Sequence, residues 1–181
     1  MKNLFLTVLV FLFFTTAQVF AYNTKLFTSD AKIASALEVL EQYGEHDVFA
    51  NLRKNAVKIK FDTLPYSNVY AANMYDSYGR RIIVINTTYK NAPVEQIACL
   101  IAHESCHVAR KATLEEEATA TSKEAGCWAK MKKANVTYPQ TKLTKRLDKL
   151  AGLQIASIQD GNNYIEDKIA SSSFYKAQFN L

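Results

Sequence analysis

Glycine and proline are scarce, five and three in 181 residues, and no stretch is rich in Pro, Gly or Ser. That scarcity excludes a collagen-like repeat, a low-complexity chain and a flexible linker, and no internal repeat is visible. With 49% hydrophobic and 22% charged residues, the composition is not that of a disordered chain. Neither sign of charge dominates, and the net charge is only +5. The densest basic stretch, which includes Lys142, Lys145, Arg146 and Lys149, alternates with apolar residues. It reads as the solvated face of a helix. No recognition motif accompanies it, so no nucleic-acid partner is expected. The length suits one domain with its own core.

Long apolar runs are missing as well, apart from Leu4 to Phe14 near the start. Lys2 precedes that run, and Val19-Phe20-Ala21 follows it with a small residue at the end. This pattern predicts a secretory signal peptide over residues 1–21, cut after Ala21, because the run is short for a bilayer span. Removing Lys2 would leave a mature chain, 22–181, at +4. No other segment is long and apolar enough to insert in a membrane, so a secreted or periplasmic product is expected.

Cysteine is limited to Cys99, Cys106 and Cys127, an odd number. Export permits a disulfide. Cys99 and Cys106 fall on one predicted helix, about 10 Å apart along its axis, and cannot easily bond. Cys127 is left to pair with one of them, or all three are small buried thiols.

Thr28-Ser29-Asp30 opens a predicted helix whose apolar residues run to Gly44, and a short one covers His46 to Lys54. Val57 to Phe61 alternates like a half-buried strand. Val69 to Tyr75 and Arg81 to Asn86 flank a turn-like segment and predict a hairpin. The second strand is rich enough in β-branched residues to be central or well covered. Helices follow at Pro93–Arg110, Leu114–Lys133 and Leu143–Ile158, with a helical tail from Tyr164 to Phe179. Helices, then a few strands, then helices define an α+β fold.

Only three histidines are present, and two of them form His103-Glu104-Ser-Cys-His107. On a helix, residues four apart share a face, so both imidazoles can bind one Zn²⁺. Glu104 lies about 100° round the helix, at the edge of the metal, where it can act as general base. A catalytic site needs a third protein ligand. Position 113 is Thr, where the extended metzincin pattern has His. Glu115-Glu116-Glu117 is the nearest source. Thr113 and Glu116 have the spacing of a capping box, and Glu115 projects with the polar residues. Glu117 projects into the apolar arc of Leu114, Ala118, Ala125 and Trp128, where a carboxylate is costly unless paired or bound to metal. In a helical hairpin folded about Ala112, residue 117 lies across from His107. Glu124 then lies across from about Leu100, where it can orient His103; the other reading is a salt bridge to a nearby Lys.

Ile97 to His107, followed by Leu114 to Trp128 with Glu117 and Glu124, resembles the gluzincin metallopeptidases, most of all their small single-domain versions. The resemblance covers about Arg81 to Trp128. It implies a zincin-like fold, in which a small sheet supports the His-Glu-x-x-His helix and a Glu-bearing helix pairs with it. It also implies zinc held by His103, His107 and Glu117, Glu104 as base, a peptide or protein substrate, and the Ile82–Ile85 strand as the edge that holds it. One departure is Thr121, four residues after Glu117, where many larger gluzincins carry Asp or Asn nearby. An oxyanion donor is not evident. Tyr164 and Tyr175 lie in a tail that can fold over the cleft, and nothing places His46, the spare histidine, near the site. Two other readings stay open: a catalytically silent secreted zinc-binding domain serving as inhibitor or adhesion module, and a zinc amidase acting on cell wall.

Overall fold

Asp30 starts the first helix by accepting from the backbone N–H groups of Lys32 and Ile33. Helix α1 (Ala31–Gln42) buries Ile33, Ala36, Leu37 and Leu40 at helical spacing and gives way to Gly44 at φ +73. In the computed structural model, residues 22–66, 68–109, 111–132 and 137–179 are described; the predicted signal segment, 1–21, lies outside them. Helix α2 (His46–Lys54) inserts Val48, Phe49 and Leu52 into the core.

Three strands follow: β1 (Lys58–Asp62), β2 (Ala71–Tyr75) and β3 (Arg81–Asn86). β2 and β3 form the expected hairpin, closed by Asp76 Oδ1, which accepts from Tyr78 N and Arg80 N, and by Gly79 at φ +74. β1 lies parallel to β3 on its other side, giving the order β1-β3-β2. The expectation that the Ile82–Ile85 strand is an edge is therefore corrected. β1 takes up its second side, and Ile83, Val84 and Ile85 are buried. The edge near the following helices belongs to β2, and among the described residues no strand pairs with its outer side.

Helix α3 (Val94–Cys106) is the centre of the molecule: residues 96–105 are all buried. It packs against α1, α2, β2, β3 and α4 (Leu114–Lys132). α4 packs in turn on α5 (Lys142–Asp160) and α6 (Tyr164–Ser171). The expected helical tail is made of two helices, since Ser172 leaves helical geometry (φ −70, ψ 129) before α7 (Ser173–Phe179). The fold is α+β, with seven helices and one small mixed sheet among the described residues. None of these helices is long and apolar enough to cross a membrane.

The main core joins Phe49, Ile83, Ile97, Ile101, Met131, Leu147 and the fully buried Trp128. The Trp128 indole donates to Asp148 on α5 at 2.7 Å and packs 4.7 Å from the Tyr138 ring. All three cysteines are free thiols, with Cys99 and Cys127 buried, so no disulfide forms. Burial pushes both of those thiols upward, which keeps them protonated and unreactive.

A second polar anchor ties α2 to α4. Glu45 is 2% exposed, and its carboxylate takes Lys123 Nζ and Lys130 Nζ at 2.5 Å each. Burial alone would raise its pKa; the two ammonium groups outweigh burial and hold it below the usual carboxylate range. A depressed folded-state pKa contributes stability above the unfolded-state value, and that stability is lost as pH falls through the folded value. Glu45→Gln is thus expected to lower stability at neutral pH and to flatten the dependence of the urea midpoint on pH in the acid range. An unchanged midpoint at every pH would show that the anchor contributes nothing.

Candidate metal centre

The last turn of α3 carries His103 and Glu104, and His107 follows at its C-cap. α4 enters from the opposite direction with Glu117 in its first turn and Glu124 two turns on. His103, His107 and Glu117 are 8%, 7% and 8% exposed. Among the described residues this is one group of three whose ligand atoms lie close enough to hold a metal ion, all within 4.8 Å of one another.

The separations are those of a small coordination shell. His103 Nε2 lies 3.2 Å from His107 Nε2 and 3.8 Å from Glu117 Oε2, and His107 Nε2 lies 3.5 Å from Glu117 Oε1. Tetrahedral ligands at zinc-like bond lengths stand ~3.4 Å from each other. Two imidazole nitrogens at 3.2 Å also need a proton or a cation between them, because lone pairs alone repel. The residues present fit a metal ion.

The outward nitrogens face carboxylates. His103 Nδ1 is 3.2 Å from Glu124 Oε2, and Glu124 is fully buried. Both Arg146 Nη1 and Nη2 donate to Glu124, the latter at 2.8 Å. Burial alone would raise the Glu124 pKa, but Arg146 and His103 bring it down to about 2. Burial alone would lower the His103 pKa, and Glu124 reverses this and holds it above its ordinary value. His107, buried and beside His103, sits below its ordinary value. Glu124 thus contacts His103, and the expected salt bridge to a Lys is corrected: its partner is Arg146. Arg146 is half-buried against α4, not part of a solvated basic face.

Glu116 is the clearest departure from expectation. Thr113 Oγ1 accepts from Glu116 N at 3.1 Å, as a cap should. The Glu116 carboxylate does not return to Thr113, however. Its Oε1 accepts from Val108 N at 2.6 Å and Ala109 N at 3.4 Å, and its Oε2 faces His107 Nδ1 at 3.8 Å. Glu115 is exposed, as expected.

Glu104 is 7% exposed and points into a cleft of about 520 Å³ that it lines with His103, His107 and Glu117. Burial raises its pKa to about 7, with the Glu117 and Glu124 charges adding to the effect and His103 opposing it. Ala71, Ala72 and Asn73 of β2 form one wall of the cleft, and Phe174, Tyr175 and Gln178 of α7 form another. Tyr175 Oη donates to Glu117 Oε2 at 3.0 Å. Tyr164 bonds instead to Asp160 and Asn162, and His46, the first residue of α2, sits by Tyr22 and does not line the cleft. Three residues at the site went unnoticed in the sequence: Asn73, Arg81 and Arg146.

No family model matches the chain, and neither a curated protein nor a solved structure matches it. The functional reading therefore rests on the site.

Proposed function

We propose that the chain is an exported zinc metallopeptidase that hydrolyses peptide bonds. The observation that carries this reading is the convergence on one cleft of a buried His–His–Glu triad and a buried carboxylate outside that triad, Glu104. Three ligands at these separations suit zinc and leave a coordination position open. Bound there, zinc would supply a Lewis acid that polarises a carbonyl and makes water more acidic. The remaining tasks fall to the chain's own groups. Glu104 takes the proton of the attacking water and hands it to the departing amine, and a pKa near neutrality suits both transfers. A purely structural metal site needs no such base. The outer side of β2, on which no strand pairs among the described residues, supports a peptide substrate laid along the cleft as an added strand. The N-terminal apolar run supports export.

One observation favours a silent zinc-binding domain instead: α7 places Phe174 and Tyr175 in the cleft, with the Tyr175 hydroxyl on Glu117. A single set of assays separates the two readings. The purified mature chain is expected to contain one zinc by elemental analysis and to hydrolyse an unfolded protein, and chelation should abolish the hydrolysis. Absence of stoichiometric zinc after purification without chelators rules out the metallopeptidase. Tyr175→Phe sorts the role of the tail: loss of an oxyanion donor lowers kcat by roughly 10²–10³-fold, whereas relief of a block raises it.

A further inference from the structure

Helix α3 stops in the middle of the motif it carries. His107 has φ −74 and ψ 112, outside helical geometry. Had the helix continued, Val108 N–H would bond the Glu104 carbonyl and Ala109 N–H the Ser105 carbonyl. Both rungs are opened, and side chains satisfy both halves. The two N–H groups donate to Glu116 Oε1. The two carbonyls are taken from the sheet, with Glu104 O keeping a 3.4 Å bond from His107 N: Arg81 Nη2 donates to Glu104 O at 2.9 Å and Ser105 O at 3.4 Å, and Asn73 Nδ2 donates to Glu104 O at 2.8 Å and His107 O at 3.2 Å.

Arg81 and Asn73 act as one unit. Tyr75 pairs with Arg81 across the hairpin, which puts Asn73 on the diagonal, and Arg81 Nε donates to Asn73 Oδ1 at 2.8 Å. Arg81 is 6% exposed and lies on the same face of β3 as the fully buried Ile83 and Ile85. A guanidinium so deeply placed is costly unless its setting is negative. Its setting is the negative end of α3, where uncapped carbonyls concentrate. A helix that ran on would satisfy those carbonyls itself and leave the guanidinium stranded.

We propose, on the metallopeptidase reading, that Arg81 is a positioning residue for the metal: with Asn73 it holds the chain out of the helix at His107, so that the aim of this ligand is set by the sheet and not by helical spacing. Metal affinity then depends on a residue that touches neither the metal nor an imidazole. It also follows that β2, the wall along which substrate would lie, is bonded directly to the backbone of a ligand.

The test compares wild type with Arg81→Met, Arg81→Lys and Asn73→Ala by chelator competition for zinc, alongside backbone NMR shifts of residues 107–109 in the metal-free proteins. Arg81→Met is expected to weaken zinc binding 10- to 100-fold, as loss of a group that orients a ligand does. The metal-free variant should show helical shifts spreading past residue 106. Arg81→Lys, which restores one donor to the carbonyls, should recover part of the affinity. Asn73→Ala, which removes two of the four carbonyl contacts and keeps the cation, should cost a smaller factor, and it carries the test if Arg81→Met does not fold. Affinity within twofold of wild type in folded Arg81→Met or Asn73→Ala, or equal loss in Arg81→Met and Arg81→Lys, overturns the proposal. If wild type binds no zinc, the metallopeptidase reading fails by itself; the metal-free shifts still decide the clamp, since unchanged values at 107–109 in folded Arg81→Met refute it.

Discussion

Glu104→Gln is expected to leave a folded, zinc-loaded protein that no longer hydrolyses peptides. The substitution keeps shape and size and removes only the ability to exchange a proton. Glu104 is not among the three groups whose atoms converge within 4.8 Å, so metal affinity should change by less than tenfold. A positioned acid–base group contributes typically 10²–10⁴-fold to rate, and in the proposed mechanism this one serves both the water and the leaving amine. The upper end of that range is the expectation for kcat, with KM little altered. Stability should hold or rise, because the native carboxylate is buried beside two others, Glu117 and Glu124, a setting that raises its pKa to about 7. The comparison needs kcat, zinc content and melting temperature on the same preparation. Undiminished hydrolysis by a zinc-loaded Gln variant would remove Glu104 from the mechanism.

The second large effect is expected at the neighbouring carboxylates of α4. Glu117→Ala removes one of the three proposed ligands. If the ~10–16 kcal/mol of a four-ligand zinc site is shared about equally, one ligand is worth roughly 10²–10³-fold in affinity. Glu116→Ala should cost about tenfold, because the carboxylate that anchors Val108 N–H and Ala109 N–H and faces His107 Nδ1 is lost while the ligand remains. Glu115 is exposed, and its replacement should change nothing measurable. Chelator competition on the three variants gives the order directly. A Glu116→Ala protein weaker than Glu117→Ala would mean that the wrong carboxylate has been assigned to the metal.

What was legible in the sequence follows from periodicity. His103, Glu104 and His107 declare themselves by spacing, and Glu117 by standing in an apolar arc opposite His107, where a carboxylate is costly unless paired or bound to metal. The same count along two antiparallel helices puts Glu124 near His103. Glu116 shows the limit of such counting. Thr-x-x-Glu is a local rule, and here a tertiary partner, the opened backbone after His107, outcompetes the local one. The edge assignment failed for a related reason. β3 is flanked by a parallel partner more than twenty residues away, and no nearby residue announces that pairing. Arg81 did leave a sign: with period two it shares the core face of Ile83 and Ile85, and a cation on such a face needs a partner. Arg146 left one too, adjoining the apolar stripe of Leu143, Leu147 and Leu150, yet its neighbours made it look like part of a solvated face.

Trp128 turns the same packing into an optical property. It is the sole indole of the chain, and it sits in the seam between α4 and α5, one turn beyond Glu124, bonded to Asp148 and screened completely from water. Its emission therefore belongs to that seam alone. A protein stripped of metal with α4 and α5 still docked keeps the blue emission of a dry indole, while a denatured one shifts to the red. The chain carries its own dye for telling an emptied site from a lost fold.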